Sequence, residues 1–203
     1  MKTSPYANKK ESEWKKITQK LVNKHPLKND LVDVVLSSWK DILKSKLGSY
    51  RIGKEIFPQP QIMGFFLHEL IPLYLQKRNK DYRIGCAGNE KDVVCKSDDS
   101  LSIEIKTSSN PDKVFGNRSF ARPQPKESKK KKDKNGFYLT INFEKFDSNS
   151  ERQPEIKIIR FGYLELTDWK AQNADSGQQS SLSSAVYETK FVTLYDKSRT
   201  LEK

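Results

Sequence analysis

Residues 92–106 read DVVCKSDDSLSIEIK, and this stretch decides the fold class. Both of its ends have the composition of short strands, and its centre is a run of polar residues typical of turns, KSDDS. The stretch therefore predicts a β-hairpin. A turn centred on Asp98 pairs residues that lie at equal distances from it, so Asp92 is expected directly opposite Glu104.

The second strand of this hairpin carries two charged side chains on one face. Because side chains at i and i+2 share a face of a strand, Ile103 and Ile105 are expected to point to the core. Glu104 and Lys106 then project together from the other face. Directly opposed side chains have Cβ atoms roughly 5 Å apart, so two carboxylates at Asp92 and Glu104 repel each other unless a cation lies between them. A divalent metal resolves that repulsion, and Lys106 stands where it can hold an attacking water or a phosphate oxygen.

The rest of the chain predicts helices before the hairpin and strands after it. Apolar residues recur with helical spacing over 14–21, 31–43 and 62–75. Strand-like runs follow at 137–143, 156–166 and 186–194, and a polar stretch predicted as a loop or disordered insert occupies 171–185. This order favours an α+β or mixed α/β fold. We divide the single domain into a helical N-terminal region, residues 1–58, and a core, residues 59–203.

The third helical run, residues 62–75, is apolar nearly all round: IMGFFLHELIPLYL. Such a composition is typical of a helix that is buried on every side. His68 and Glu69 are the two polar side chains of this helix, and both need an explanation if they are buried.

The net charge limits the class of partner. Lys and Arg number 38 against 26 Asp and Glu, which gives a formal net charge of +12. Such a surplus attracts polyanions, and nucleic acid is the leading candidate for the partner. One alternative is a soluble basic protein without a polyanionic partner. Another is that the lysine run at 126–134 is a nuclear localisation signal. No apolar stretch approaches the roughly 18 residues of a membrane span, and the N-terminus does not resemble a secretory signal. The two cysteines are too few for a scaffold held together by disulfides. We therefore expect no membrane contact and a reducing cytoplasm.

The sequence gives less support to a zinc site, to a nucleotide-binding loop and to a second catalytic hairpin. The cysteines and histidines lack the spacing of a structural zinc site, and the sequence has no phosphate-binding glycine loop. The E-x-K pattern recurs at Glu155-Ile156-Lys157, where Asp147 precedes it across another turn, so this second hairpin is a rival site. No apolar helix comes before it to exclude water. For the hairpin at 92–106, the alternative is an exposed edge hairpin with an incidental salt bridge.

Asp92, eleven intervening residues, and then Glu104-Ile105-Lys106 resemble the PD-(D/E)-x-K motif of a nuclease superfamily. The string IEIKTSSNP at 103–111 and the following GNRS at 116–119 are similar to type II restriction endonucleases of the ScaI-type group. One residue departs from the motif, because Lys91 stands where the motif's name expects proline.

The resemblance implies a restriction-endonuclease-like fold, which is a mixed central sheet flanked by helices. It also implies a type II restriction endonuclease that hydrolyses double-stranded DNA at specific sequences with Mg²⁺, or Mn²⁺ as a substitute, and leaves 5′-phosphate ends. A homodimer, a cognate DNA methyltransferase in the same system and a prokaryotic cytoplasm are further expectations. The alternatives are a DNA-binding protein of the same fold that does not cleave and a structure-specific nuclease of repair or recombination intermediates.

The resemblance also suggests roles for individual residues by matching position. Asp92, Glu104 and the Ile105 carbonyl would be the metal ligands. Lys106 would orient or deprotonate the attacking water and stabilise charge on the phosphate. Glu69, in the preceding helix, would be an outer catalytic carboxylate, and the alternative is a buried glutamate paired with a local basic side chain.

DNA contacts are expected on the loops beyond the hairpin. Arg pairs bidentately with guanine and Asn with adenine, whereas lysines suit phosphates whatever the sequence. The candidate DNA-binding residues are Thr107, Ser108, Ser109, Asn117, Arg118, Arg122, Lys129, Lys130, Lys131 and Lys132. Phosphate contact or plain solvent exposure is the alternative for each of the sequence readers.

The N-terminal helices around Trp14 and Trp39 carry more apolar surface than a small nuclease core requires. We assign them to the contact between the two subunits of a homodimer, because a double-strand break needs two catalytic sets related by a two-fold axis. Packing of the same helices against the core sheet is the alternative.

Overall fold

The computed structural model describes residues 4–117, 133–147, 150, 152–171 and 179–200. Within these ranges the helices are α1 (Glu11–Lys24), α2 (Leu31–Lys44), α3 (Pro60–Arg78), α4 (Ser184–Thr189) and α5 (Lys197–Thr200). The first three coincide with the three stretches of predicted helical periodicity. α1 ends where it does because the residue before a proline avoids helical backbone, and His25, which precedes Pro26, is extended with φ −71° and ψ 127°.

A mixed six-stranded sheet lies at the centre of the fold. The strands are β1 (Lys46–Leu47), β2 (Tyr50–Arg51), β3 (Tyr82–Ile84), β4 (Val93–Cys95), β5 (Ile103–Ser108), β6 (Phe115–Asn117), β7 (Gly136–Phe143), β8 (Ile156–Leu164), β9 (Trp169–Ala171), β10 (Gln179–Leu182) and β11 (Phe191–Asp196). The central order is β11-β8-β7-β5-β4-β3, in which β5 and β7 are parallel and the other neighbours are antiparallel. A three-stranded sheet, β6-β10-β9, and the hairpin β1-β2 complete the topology. This architecture confirms the predicted fold class.

The central sheet separates two hydrophobic cores. β7 is buried along its whole length, which explains its almost continuous apolar sequence. Its residues Phe137, Leu139 and Ile141 belong to the larger core, together with side chains of α1, α2 and α3. Tyr138 belongs to a smaller core that also contains Trp169 and Phe191. Successive side chains of the central strands therefore alternate between the two cores.

The N-terminal helices pack on the central sheet. The Trp39 side chain in α2 is buried, its ring centroid lies 5.1 Å from that of Phe143, and its indole Nε1 donates to the Pro154 carbonyl at 2.8 Å. In α1, Thr18 is buried and its hydroxyl donates to the Thr189 carbonyl at 2.8 Å. Of the two alternatives for these helices, packing within the chain accounts for the surface of Trp39.

The expectation that α3 is buried on every side is wrong. Ile62, Phe65 and Leu73 are 47%, 56% and 44% exposed, and Glu69 is exposed on the same face of the helix. The opposite face, with Leu67 and four other fully or nearly buried apolar side chains, packs on α2 and the sheet. The composition of this helix could not distinguish a fully buried helix from one whose second apolar face remains on the surface.

The chain after residue 171 also differs from expectation. Gln179–Leu182 lies within the predicted loop and forms a strand, and Ser184–Thr189 is a helix where the sequence predicted the start of a strand. The strand forms because β6 and β9 hydrogen-bond it from both sides, and this pairing does not need an apolar sequence. The helix forms because it buries Val186 in the smaller core, and such tertiary packing outweighs the strand propensity of Val and Tyr.

His25 is a buried histidine that we expect to make the stability of this fold dependent on pH. The ring lies between Phe137 and Phe161, with centroids 4.5 and 4.9 Å away. Nε2 donates to the Leu101 carbonyl at 3.1 Å and Nδ1 accepts from the Leu27 amide at 3.3 Å, so the imidazole is neutral. Burial lowers the pKa of His25 to about 4, although the bond to Leu101 opposes the shift.

The folded-state pKa of His25 is below the ordinary value, so the unfolded chain binds the proton more tightly. The contribution of His25 to stability is therefore complete above about pH 6.5 and decreases as the pH falls towards 4. At about 1.4 kcal/mol per pH unit, we expect His25 to lower the free energy of unfolding by about 2 kcal/mol between pH 7.5 and pH 5. Urea unfolding at both pH values, with His25→Gln as the variant that cannot titrate, measures this contribution. An equal pH dependence in both proteins would contradict it.

Candidate active site

The hairpin of β4 and β5 has the predicted register. Val93 pairs with Ile103, and these residues are equidistant from Asp98, so Asp92 precedes β4 at the position opposite Glu104. Ile103 and Ile105 are fully buried in the larger core, as the alternation predicted. Glu104 is in parallel register with Tyr138 of β7, so its side chain projects towards the side of the smaller core.

The Asp92 carboxylate is held across the hairpin by the backbone of β5. Its Oδ2 accepts a hydrogen bond from the Ile105 amide at 2.6 Å, and its Oδ1 lies 3.7 Å from His68 Nδ1 in α3. A hydrogen bond from a backbone N–H to a charged carboxylate is stronger than one to a neutral acceptor. The backbone therefore places the Asp92 side chain beside the segment that carries Glu104 and Lys106.

Glu104 and Lys106 form an ion pair with little access to solvent. Lys106 Nζ lies 2.5 Å from Glu104 Oε1, and the two side chains are only 15% and 4% exposed. Burial of a carboxylate is costly unless a cation compensates for its charge, and Lys106 provides this compensation within the strand. The Tyr138 hydroxyl lies on the same side, where burial and then the charge of Glu104 raise the pKa of this phenol well above its ordinary value.

Lys91, the residue that departs from the motif, has a structural role. Its side chain is buried, and Nζ donates to the Asn135 carbonyl at 2.6 Å. Asn135 precedes β7, so Lys91 links the residue before Asp92 to the beginning of the central strand.

A cleft of about 660 Å³ opens beside this hairpin. α3 forms one wall and approaches β5 closely, since a Cβ added to Gly64 would lie 2.6 Å from the Thr107 hydroxyl oxygen. β6 and β10 contribute to the opposite wall. The polar residues that line the cleft are Gln61, His68, Thr107, Ser108, Ser109, Asn110, Asn117, Lys145 and Gln179. Four of the candidate DNA-binding residues thus face one cavity beside β5: Thr107, Ser108, Ser109 and Asn117.

The profile of the family described as ScaI restriction endonuclease matches residues 4–195. The chain belongs to the ScaI restriction endonuclease family. It is also 45% identical over 194 residues to the type II restriction enzyme ScaI of Streptomyces caespitosus, an alignment that covers 95% of this chain and 85% of the relative. No solved structure matches the chain.

Membership of the ScaI restriction endonuclease family makes this protein a type II restriction endonuclease, an enzyme that cleaves DNA at specific sequences. Type II restriction endonucleases generally need a divalent metal. In the part of the chain that the structure describes, no helix is long and apolar enough to span a bilayer.

The donor set at the hairpin suits such a metal. Carboxylate and carbonyl oxygens are hard ligands, and Asp92, Glu104 and the Ile105 carbonyl would supply them from the two sides of the hairpin. Across the described ranges, no three or more His, Cys, Asp or Glu side chains are grouped as a metal site. A metal at this hairpin would therefore need backbone, water or DNA oxygens to complete its coordination.

The structure separates the two polar residues of α3. His68 faces Asp92 and the cleft. Glu69 is exposed on the outer face of the helix, so the expectation that Glu69 is buried with the rest of this helix is wrong. His68 is one of the two polar residues that stand out in this helix from the sequence, but its sequence pattern indicated no function. The only signal for His68 in the sequence was its polar side chain within an otherwise apolar helix. Lys145 and Gln179, which also line the cleft, carried no signal of this kind.

The rival hairpin lies on the surface of this ScaI-family enzyme. Glu155 and Asp147 are exposed, and the Glu155 carboxylate forms ion pairs with Arg152 and Lys197. Such exposed pairs are typical of solvated charge. The other candidate DNA-binding residues, Arg118, Arg122, Lys129, Lys130, Lys131 and Lys132, lie outside the described residues.

Proposed function

We propose that this ScaI-family enzyme hydrolyses phosphodiester bonds of double-stranded DNA with Mg²⁺, or with Mn²⁺ as a substitute, at the hairpin of β4 and β5. The main support is the buried pair of Glu104 and Lys106, which lies beside Asp92 next to a cleft lined by polar residues. Asp92, Glu104 and the Ile105 carbonyl would hold the metal. When bound, the metal would activate water and neutralise charge on the phosphate.

Lys106 is proposed to orient the water that attacks phosphorus. Its ammonium group is held by Glu104, and the two side chains are only 15% and 4% exposed. Thr107, the next residue, lines the cleft from the opposite face of the same strand. A new bond forms between the water oxygen and phosphorus, and the bond from phosphorus to the 3′ oxygen breaks. The 3′ oxygen takes a proton, so the products are a 5′-phosphate and a 3′-hydroxyl.

Sequence reading is proposed for the polar residues that face the cleft and for the chain that follows β6. Asn117 at the end of β6 and the run Thr107, Ser108 and Ser109 line the cleft. Arg118 and Arg122 follow in sequence and offer bidentate contacts to guanine, while the lysines at 129–132 suit phosphates. A cognate DNA methyltransferase would protect the host's own sites, and both enzymes would act in the bacterial cytoplasm.

Digestion of a plasmid of known sequence in the presence of Mg²⁺ tests this function. Discrete fragments with 5′-phosphate ends are expected, because type II enzymes cut at defined sites. A continuous smear would indicate cleavage without sequence specificity, and a nick confined to branched or damaged DNA would indicate a repair nuclease. Binding without any cleavage would indicate a DNA-binding protein of the same fold.

We further propose a homodimer whose contact lies on the outer face of α3. Among the described residues, the large apolar side chains that remain exposed all lie between residues 47 and 73: Leu47, Tyr50, Phe57, Ile62, Phe65 and Leu73. Three of them, Ile62, Phe65 and Leu73, lie on the outer face of α3 with helical spacing, and we call these three side chains the α3 apolar surface.

Sedimentation velocity of the double variant Ile62→Asp/Leu73→Asp tests this contact. The wild-type protein is expected to be a dimer and the variant a monomer, because two buried carboxylates on each side of a symmetric interface repel each other. Ser12→Asp/Gln19→Asp, at exposed positions of α1, is the matched control and should remain a dimer. A variant that still dimerises would overturn this interface, and a wild-type monomer on cognate DNA that cuts both strands in one encounter would overturn the homodimer itself.

A further inference from the structure

The loop between the catalytic strand and the opposite wall of the cleft is held by side chains that do not line the cleft. This loop, residues 109–114, runs from the end of β5 to the beginning of β6. Its first part lines the cleft, and Asn117 lies directly beyond it. This loop therefore joins the strand that carries Lys106 to the wall that carries Asn117.

Asn142 of β7 binds both halves of the loop. It is fully buried beside Ser108 in the parallel ladder, and its Nδ2 donates to the Asn110 and Lys113 carbonyls, both at 2.9 Å. Its Oδ1 accepts from Arg160 Nη1 at 3.0 Å. Both amide hydrogens and the amide oxygen thus have defined partners, so the orientation of the side chain is determined by its surroundings.

Tyr187 of α4 binds the last residue of the loop. Its hydroxyl oxygen accepts from the Val114 amide at 2.9 Å, and the hydroxyl donates to the Val114 carbonyl at 3.4 Å. The Arg160 guanidinium lies 5.2 Å from the centre of the Tyr187 ring, so a cation–π contact connects the two anchor points. We call Asn142, Arg160 and Tyr187 the loop clamp.

We propose that the loop clamp is a positioning network for sequence specificity. The clamp residues come from β7, β8 and α4, and they fix the backbone that joins the catalytic strand to the DNA-reading wall. A correct base pair would then be required for the scissile phosphate to lie in line with Lys106, because neither wall can move to accommodate a mismatch. This inference rests on the proposed function, since it assigns reading to the wall formed by β6.

Tyr187→Phe is the sharpest test, because it removes two hydrogen bonds to Val114 and keeps the ring that stacks on Phe191 and contacts Arg160. A hydrogen bond between neutral groups is worth up to about a factor of ten in an equilibrium. We expect the ratio of kcat/KM between the cognate duplex and duplexes with one changed base pair to fall about tenfold. Cognate kcat should change less than about threefold, and the Val114 amide should exchange its hydrogen faster.

Asn142→Asp is the second variant, because it keeps the shape of the side chain and replaces two donors with an oxygen that repels the Asn110 and Lys113 carbonyls. A larger loss of discrimination is expected, and if this variant does not fold, Tyr187→Phe decides alone. Tyr195→Phe, at a half-buried position of β11, is the matched control and should retain full discrimination.

A merely structural role for the clamp would lower cognate and altered-site cleavage equally, together with thermal stability. That outcome, or discrimination within about twofold of wild type in Tyr187→Phe, would overturn the inference and leave the proposed function intact. Absence of any cleavage by the wild-type protein would instead overturn the proposed function and this inference with it.

Discussion

Lys106→Ala and Glu104→Ala are each expected to reduce DNA cleavage by roughly 10²–10⁴-fold, while cognate DNA binding is largely retained. Removal of a positioned base or metal ligand deletes stabilisation that is specific to the transition state. Binding depends on many other contacts, most of them to phosphates. Single-turnover cleavage of a labelled cognate duplex measures the first quantity, and gel retardation of the same duplex measures the second.

The controls for this prediction follow from the burial of the pair. Because Glu104 is 3% exposed, Glu104→Gln keeps the shape of the side chain and distinguishes loss of chemistry from loss of folding. Glu155→Ala changes the exposed glutamate of the rival E-x-K hairpin and should leave cleavage unchanged. Full activity of Lys106→Ala would overturn the proposed site, and loss of cleavage by a folded Glu155→Ala would move it to the rival hairpin.

Lys190→Ala is expected to lower the free energy of unfolding by about 3–5 kcal/mol, because it breaks a buried ion pair and leaves the carboxylates behind. The Lys190 side chain is 1% exposed, and Nζ lies 2.8 Å from both Asp168 Oδ1 and Glu165 Oε2. The same ammonium group lies 4.3 Å and 4.5 Å from the ring centres of Tyr6 and Trp14. These contacts connect the N-terminal segment to the smaller core, so their loss affects several elements.

Urea unfolding of Lys190→Ala measures this contribution, with Lys170→Ala as the matched control. Lys170 is exposed in β9, so its substitution should change stability by less than about 0.5 kcal/mol. Lys190→Met keeps most of the volume but still leaves Asp168 without its ammonium partner, and a similar loss is expected. A stability within about 1 kcal/mol of wild type for both Lys190 variants would show that the buried pair does not hold the fold together.

Local sequence patterns predicted the central hairpin and the faces to which its side chains project. The alternation in Ile103, Glu104, Ile105 and Lys106 requires only that the segment be extended, because a strand directs successive side chains to opposite faces. The turn-forming run around Asp98 determined the register, and this placed Asp92 opposite Glu104 before any tertiary contact was known. α1, α2 and α3 were predictable for the same reason, since helical spacing is a property of the segment itself.

Only the tertiary structure decided which surfaces are covered. Phe65 and Leu67 are similar in hydrophobicity and two residues apart in α3, yet one is 56% exposed and the other fully buried. The outcome depends on where α2 and the sheet lie, and His68 rather than Glu69 faces Asp92 for the same reason. Ser180 forms a strand only because β6 and β9 approach it from both sides. The periodicity of a segment encodes the directions of its side chains, whereas burial, pairing and the cleft depend on contacts between residues far apart in the chain.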